Sequence, residues 1–265
     1  MGLGHHLVLF FVGLIGSFFS GMLGIGGAVI NYPLLLYVPD WLGVGHFTAK
    51  EVSSISMFQV FFASLSGLLA YRMQRKHEPS YIHKGIVLIM GSSILVGSLI
   101  GGAGSKYMPS ESINLIYGIV AVVAVILMLI PNRGKREDLH TEQLVYHKSV
   151  AALSAGLVGL VSGTVGAGGA FILIPIMLTV LKIPTRITIT SSLAIVFISA
   201  VGGVTGKLAA GHIPFWATFY TVLGSVSGAP LGSFVGSKVN GKYLRITLAV
   251  FITATAVKVW FDILK

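Results

Sequence analysis

Ten apolar stretches run through this chain, at 7–20, 27–38, 52–71, 85–103, 112–130, 149–162, 170–181, 188–209, 214–235 and 244–264, with only short polar clusters between them. A helix needs about 20 mostly apolar residues to cross a bilayer. A chain of 265 residues built this way holds six to eight crossings and little else. Its charge agrees. Asp, Glu, Lys and Arg make up 10% of residues, against about 25% in soluble domains, and the mean hydropathy is +0.89. Those values exclude a soluble globule, a disordered chain and a nucleic-acid module. The net charge of +10 is spread over short loops. It reads as membrane orientation and attraction to anionic headgroups, with the lipid bilayer as partner and no nucleic acid. The chain has no cysteine, so disulfides, thiol catalysis and Cys-based metal sites are excluded. Met1 to His6 carries no Lys or Arg, which argues against a cleaved signal peptide.

The chain repeats itself. Gly21-Met22-Leu23-Gly24-Ile25-Gly26-Gly27-Ala28 precedes Pro33, and Gly163-Thr164-Val165-Gly166-Ala167-Gly168-Gly169-Ala170 precedes Pro175. The glycines, the alanine and the proline coincide at an offset of 142. Ser53-Ser54 then aligns with Ser191-Ser192, and Gly104-Ser105-Lys106 with Gly236-Ser237-Lys238. Landmarks kept in order point to an internal duplication. The longest polar segment, Pro131 to Lys148, lies between the halves. The division is a transmembrane repeat at 1–131, a cytoplasmic linker at 132–148 and a second transmembrane repeat at 149–265.

Each repeat holds a pair of short stretches and three full spans. The stretches 7–20, 27–38, 149–162 and 170–181 are too short to cross alone. Read as one helix, residues 7 to 38 are about 48 Å long, against a hydrocarbon core of about 30 Å. A hairpin that enters and returns fits better. Hairpins also place 13 of the 18 Lys and Arg on one side, against 11 if each pair crosses once. Three crossings per repeat turn the second repeat upside down, the plan of many secondary transporters. The expected fold class is therefore all-α, a polytopic membrane protein of two homologous, inverted repeats. Each carries a glycine-broken short-helix hairpin plus three transmembrane helices. Eight spans with parallel repeats form the competing plan.

Three glycines within four residues, Gly24, Gly26 and Gly27, and again Gly166, Gly168 and Gly169, favour an unwound turn. Unwound backbone inside lipid is tolerated only where protein buries it or a polar cavity receives it. Helices restarting at Gly27 and Gly169, each followed by an alanine of the candidate substrate turn (Ala28, Ala170), point free N–H groups and a positive dipole end into that space, which suits an anion. Close helix packing is the bland alternative. The repetition and the trailing Pro33 and Pro175, assigned structural roles, favour the substrate turn. Gly97-x-x-x-Gly101 and Gly228-x-x-x-Gly232-x-x-x-Gly236 lie inside long stretches and read as smooth packing faces.

Polar residues inside spans complete the candidate substrate site: Asn31, Ser53, Ser54 and Gln59 in the first repeat, Thr190, Ser191 and Ser192 in the second. Their alternative is bonding back to their own helices. Lys50 and Glu51 begin a helix and read as interfacial, with Trp41 as a membrane-boundary anchor; a gating or proton-relay role for Glu51 is the alternative. Lys207 reads as a snorkelling side chain near a helix end. No Rossmann or Walker A spacing, no metal-ligand spacing and no catalytic constellation is present, so no cofactor, metal or enzyme activity is expected.

The repeated G-x-x-G-x-G-G-A followed by Pro33 or Pro175 resembles the sulfite exporter TauE/SafE family, of the 4-toluene sulfonate uptake permease group. The resemblance covers the duplicated halves, the basic linker and both glycine motifs. It implies a multi-pass transporter of the prokaryotic inner membrane. It also implies substrates such as sulfite, sulfoacetate or other organosulfonates. An anion channel and a non-transporting membrane scaffold are the alternative functions.

Overall fold

A computed structural model describes residues 3–23, 28–74, 82–129, 146–239 and 241–263, and the described residues form helices without a strand. The first half holds α1 (Leu3–Leu23), α2 (Ala28–Trp41), α3 (Ala49–Gln74), α4 (Lys84–Gly104) and α5 (Ser110–Leu129). The second holds α6 (Lys148–Val165), α7 (Ala170–Pro175), α8 (Thr185–Ala210), α9 (Phe215–Lys238) and α10 (Gly241–Ile263). A 3-10 turn at Ser105–Tyr107 follows α4, and a π turn at Ile176–Val180 extends α7. Six of these helices, α1, α3, α4, α5, α6 and α8, are long and apolar enough to cross a membrane.

The polarity is that of a protein in lipid. Leu115, Ile119, Val123 and Ile126 form an exposed stripe on α5, and Leu153, Leu157 and Leu160 another on α6. Meanwhile Ser17, Asn31, Ser56, Gln59 and Lys207 are buried. A soluble protein does not leave stripes of this kind uncovered.

Side-chain spacing sets which helices touch. Gly13 and Gly21 lay α1 on Thr221 and Ala229 of α9, while Gly97 and Gly101 lay α4 on Leu160 of α6. A Cβ at Gly232 would meet the backbone of Phe18. The four-residue glycine spacings are therefore packing faces, as expected. Contacts recur when every helix is shifted by five: α1 with α9 answers α6 with α4, and α3 with α9 answers α8 with α4.

The same contacts fix directions. Residue numbers rise together along α4 and α6, and along α4 and α8, where Gly202 meets Leu95 and Gly206 meets Leu99. So α6 and α8 run the same way, and α7 between them runs back. The central pair α3 and α8 runs in opposite directions, with Met57 at Gly203, Phe61 against the ring of Phe197 and Gly67 at Leu193. At the other end of the first pair, His5 Nδ1 lies 2.6 Å from the Val44 carbonyl, so the start of α1 meets the end of α2.

One expectation needs correction. The stretches 7–20 and 149–162 were read as arms too short to cross, yet α1 has 21 residues and α6 has 18. α1 starts earlier, at Leu3, and continues past Ser20 through Gly21, and α6 continues past Ser162 through Gly163, because these small residues pack against neighbours. Gly21 meets Ala229, and Gly163 meets Ser98. Each pair is thus one long arm and one short arm. The linker segment 132–145 lies outside the described residues; α6 begins at Lys148.

Glu51 has a local role. Thr48 N–H donates to Glu51 Oε2 at 2.8 Å, and Glu51 N–H donates to Thr48 Oγ1 at 3.3 Å. This is a capping box, and Thr48-x-x-Glu51 is its sequence signature. Thr48→Ala should lower stability by about 1 kcal/mol, measured by thermal unfolding, and leave transport unchanged.

Candidate functional site

The second glycine cluster breaks the chain as its composition demands. Gly166, Gly168 and Gly169 have φ of +79°, +62° and +82°. An L side chain is strained there. Space excludes one too: a Cβ at Gly166 would strike the Ser53 carbonyl, and one at Gly169 would crowd Val158, Ile94 and Ser162. The Ser162 carbonyl closes the end of α6 by accepting from the N–H groups of Gly166 and Ala167, both at 2.8 Å. The chain then drops to the middle of the bundle. Gly168 faces Val60 of α3 and Val196 of α8, each close to the midpoint of its helix. At that level α7 starts, with Ala170 and Phe171 in its first turn and no earlier helical carbonyl for their N–H groups.

Pro175 ends α7 by removing an N–H from the ladder, and the π turn begins at the next residue. Pro33 lies inside α2 at the matching place. Gly24, Gly26 and Gly27 lie outside the described residues; Ala28 is the first residue of α2.

The neighbour of Val60 on α3 faces the first pair. Gln59 Nε2 lies 3.3 Å from both the Gly13 carbonyl and Ser17 Oγ of α1. A Cβ at Gly16 would fall on the Asn31 side-chain oxygen and lie 3.6 Å from Gln59 Nε2. Asn31 and Gln59 are fully buried, yet both polar atoms of Asn31 and the Oε1 of Gln59 have no hydrogen-bond partner. The Ser20 and Ser56 hydroxyls are buried and unpartnered as well. Each unmet group costs about 1–3 kcal/mol. Asn31 and Gln59 meet beside Gly16; Ser20 lies one turn further along α1 and Ser56 one turn back along α3.

The serine pairs are placed differently. Ser53 Oγ donates to the Thr164 carbonyl at 2.9 Å, joining α3 to the end of α6. Ser191 Oγ accepts from the His83 N–H at 3.0 Å. Ser54, Ser192 and Thr190 donate to carbonyls of their own helices. In this conformation those hydroxyls serve the backbone. By the repeat offsets, the second-half counterparts of Asn31 and Gln59 are Leu173 and Phe197. The free amides therefore belong to one half and the described break to the other.

Two features escaped the sequence reading. An aromatic column links the short arms: Tyr32 of α2 stacks on Tyr117 of α5 at 4.5 Å, and Tyr117 lies 6.2 Å from Phe171 of α7. Tyr32 also donates to Asn114 Oδ1 at 2.7 Å. An aromatic within an apolar run carries no signal of such stacking. The second is Lys207, which does not snorkel. It is 1% exposed, and its ammonium donates to Ser105 Oγ and the Thr164 carbonyl, both at 2.8 Å.

A glycine break at Gly166–Gly169, buried amides and lipid-facing stripes describe a membrane protein with a polar centre. Sequence comparison says which. The family described as sulfite exporter TauE/SafE matches residues 9–259. The chain belongs to the sulfite exporter TauE/SafE family. Among its TauE/SafE-like relatives is the "probable membrane transporter protein YunE" of Bacillus subtilis, 23% identical, with 93% of this chain and 94% of the relative covered. Another is YdhB of the same organism, also named a probable membrane transporter protein, 28% identical over 93% of this chain and 94% of its own length. A similarly named protein of Methanocaldococcus jannaschii is 24% identical, covering 92% and 89%. No solved structure matches the chain. This TauE/SafE chain is a multi-pass membrane protein of a transporter family, and not an enzyme.

Proposed function

We propose that the protein is a secondary transporter moving a small sulfur-containing anion, sulfite or an organosulfonate such as sulfoacetate, across the inner membrane by alternating access. The observation that carries this reading is the buried, unpartnered amide of Asn31 beside the unpartnered Oε1 of Gln59, at the level where the α6–α7 break restarts a helix. The anion sits between them. It accepts from the first N–H groups of α7, from Asn31 Nδ2 and from the Ser20 and Ser56 hydroxyls. The helix end supplies about half a positive charge, so no charged side chain is needed at the centre. The free acceptors, Asn31 Oδ1 and Gln59 Oε1, suit an oxyanion that carries a proton.

Alternating access is supported by the opposed directions of α3 and α8 and by the five-helix shift that reproduces the contacts. These features fit two inverted repeats that rock against each other about a fixed central site. The orientation follows from charge. Arg72, Lys84, Lys148, Arg186 and Lys238 fall at one end of the bundle, while Lys50, Lys106 and Lys207 fall at the other. The first end is cytoplasmic by the positive-inside rule.

The test is radiolabelled sulfite flux in proteoliposomes. The expected result is saturable uptake that accelerates when unlabelled sulfite is loaded on the opposite side. Flux that rises linearly with concentration and ignores the opposite side marks a channel. No flux for any sulfur oxyanion marks a scaffold.

A further inference from the structure

Lys207 is a buried ammonium with only neutral partners. It lies in α8, one turn before Ala210, where the ends of α4, α6 and α8 meet the beginning of α3. Its two acceptors are the Ser105 hydroxyl and the Thr164 carbonyl. Ser105 Oγ in turn donates to the Gly102 carbonyl, and Ser53 Oγ donates to the same Thr164 carbonyl. Among the described residues no carboxylate lies within ion-pair distance of Lys207. Glu51, on the adjoining end of α3, is held in its capping box. A second cation, Lys50, stands in the first turn of α3 at this end, and its ammonium rests on the carbonyl of Lys106, the residue after Ser105, at 3.2 Å.

Burying an ammonium without an opposite charge is costly, and an ionisable residue inside a membrane bundle marks function by default. Capping the carbonyl end of α6 accounts for a cation there. It does not account for full burial beside another lysine. The counter-charge is the missing element, and Thr164 stands two residues before the αL break at Gly166.

We propose that Lys207 anchors an outer anion subsite, built with Ser105 and Ser53 at the end of the bundle away from the basic loops, where a small oxyanion docks on its way to or from the central site. This rests on the transport reading above. The incoming oxyanion replaces the Thr164 carbonyl as acceptor for the ammonium. The Ser53 and Ser105 hydroxyls, both within reach of that ammonium or its partner, then turn to the anion. The subsite has a single side, because the position equivalent to Lys207 in the first half, by the Ser53–Ser191 offset, is Leu69.

The experiment is sulfite flux by the purified full-length protein in proteoliposomes, with Lys207→Gln, Lys207→Arg and the exchange variant Lys207→Ser/Ser105→Lys. Glutamine keeps two amide donors and removes the charge, on a side chain one atom shorter, while arginine keeps the charge. Lys207→Gln should raise the sulfite KM from the side opposite the basic loops about tenfold, as loss of a charge-assisted bond does. Its maximal rate and its KM from the other side should stay within about threefold of wild type. Lys207→Arg and the exchange variant should keep the wild-type KM. If Lys207→Gln does not reach the membrane, the exchange variant carries the test, because it returns an ammonium to the same spot. An unchanged KM in Lys207→Gln, or a folded exchange variant with a tenfold higher KM, overturns the subsite while wild-type flux leaves the transport reading standing. A wild-type protein inert to sulfite overturns both.

Discussion

Asn31→Leu is expected to reduce sulfite transport by at least about 100-fold while the protein keeps or gains thermal stability. Two opposite consequences follow from one fact. Asn31 is fully buried and neither its amide nitrogen nor its oxygen has a partner. Removing an unsatisfied polar group from an apolar interior relieves a desolvation cost of about 1–3 kcal/mol. The fold already accepts a leucine at the equivalent place in the other half, Leu173, which is buried in the core. In the proposed transport cycle, the same substitution deletes a donor and an acceptor for the anion. A site built to hydrogen-bond its guest discriminates steeply against losing such a group. Gln59→Met should behave similarly but lose some stability, because Nε2 also ties α3 to Gly13 and Ser17 of α1. Flux in proteoliposomes and thermal unfolding in detergent check both halves of the prediction. A stable Asn31→Leu protein with normal flux removes the amides from the site.

The second large effect separates two glycines of one turn. Gly166→Ala should yield little folded protein, because the new methyl meets the Ser53 backbone carbonyl and φ is +79°. Backbone does not give way as a side chain does. Gly168→Ala meets the Val60 and Val196 side chains instead, at a φ of +62°. Those valines shift, and the remaining cost is about 1–2 kcal/mol of left-handed strain. Gly168→Ala therefore reaches the membrane but moves the start of α7, and its flux falls at least about tenfold. Yield after size exclusion and flux per folded molecule distinguish the two. Equal yields and equal flux for both variants mean that the turn only packs.

How much of this was legible beforehand depends on whether a neighbour in sequence or a neighbour in space sets the residue's role. The break at Gly166, Gly168 and Gly169 was readable, since positive φ is a local demand that glycine alone meets cheaply. Pro175 was readable because a missing N–H is also local, and the packing glycines of α4 and α9 because their four-residue spacing marks one helix face. Asn31 and Gln59 stood out because buried amides need partners. The lengths of α1 and α6 were misread. Ser20, Gly21, Ser162 and Gly163 lower hydropathy as a helix end does, and only α9 and α4 show that they are contact surfaces. Lys207 was misread for a related reason. Three residues from the end of α8, it has the address of a snorkelling lysine, and the covers that bury it, Ser105 and Thr164, are 102 and 43 residues away. Glu51 was legible as a residue of a helix start, and the signal for its capping role, Thr48 three residues before it, was there to be read.

Everything in the transport reading turns on where the anion rests. Selenite has the charge and pyramidal shape of sulfite, and selenium scatters anomalously. In crystals of the full-length protein soaked in selenite, an anomalous peak should lie between Asn31, Gln59 and the N–H groups of Ala170 and Phe171. A protein that transports sulfite yet shows its selenium peak elsewhere, with Asn31 still unpartnered, contradicts the account.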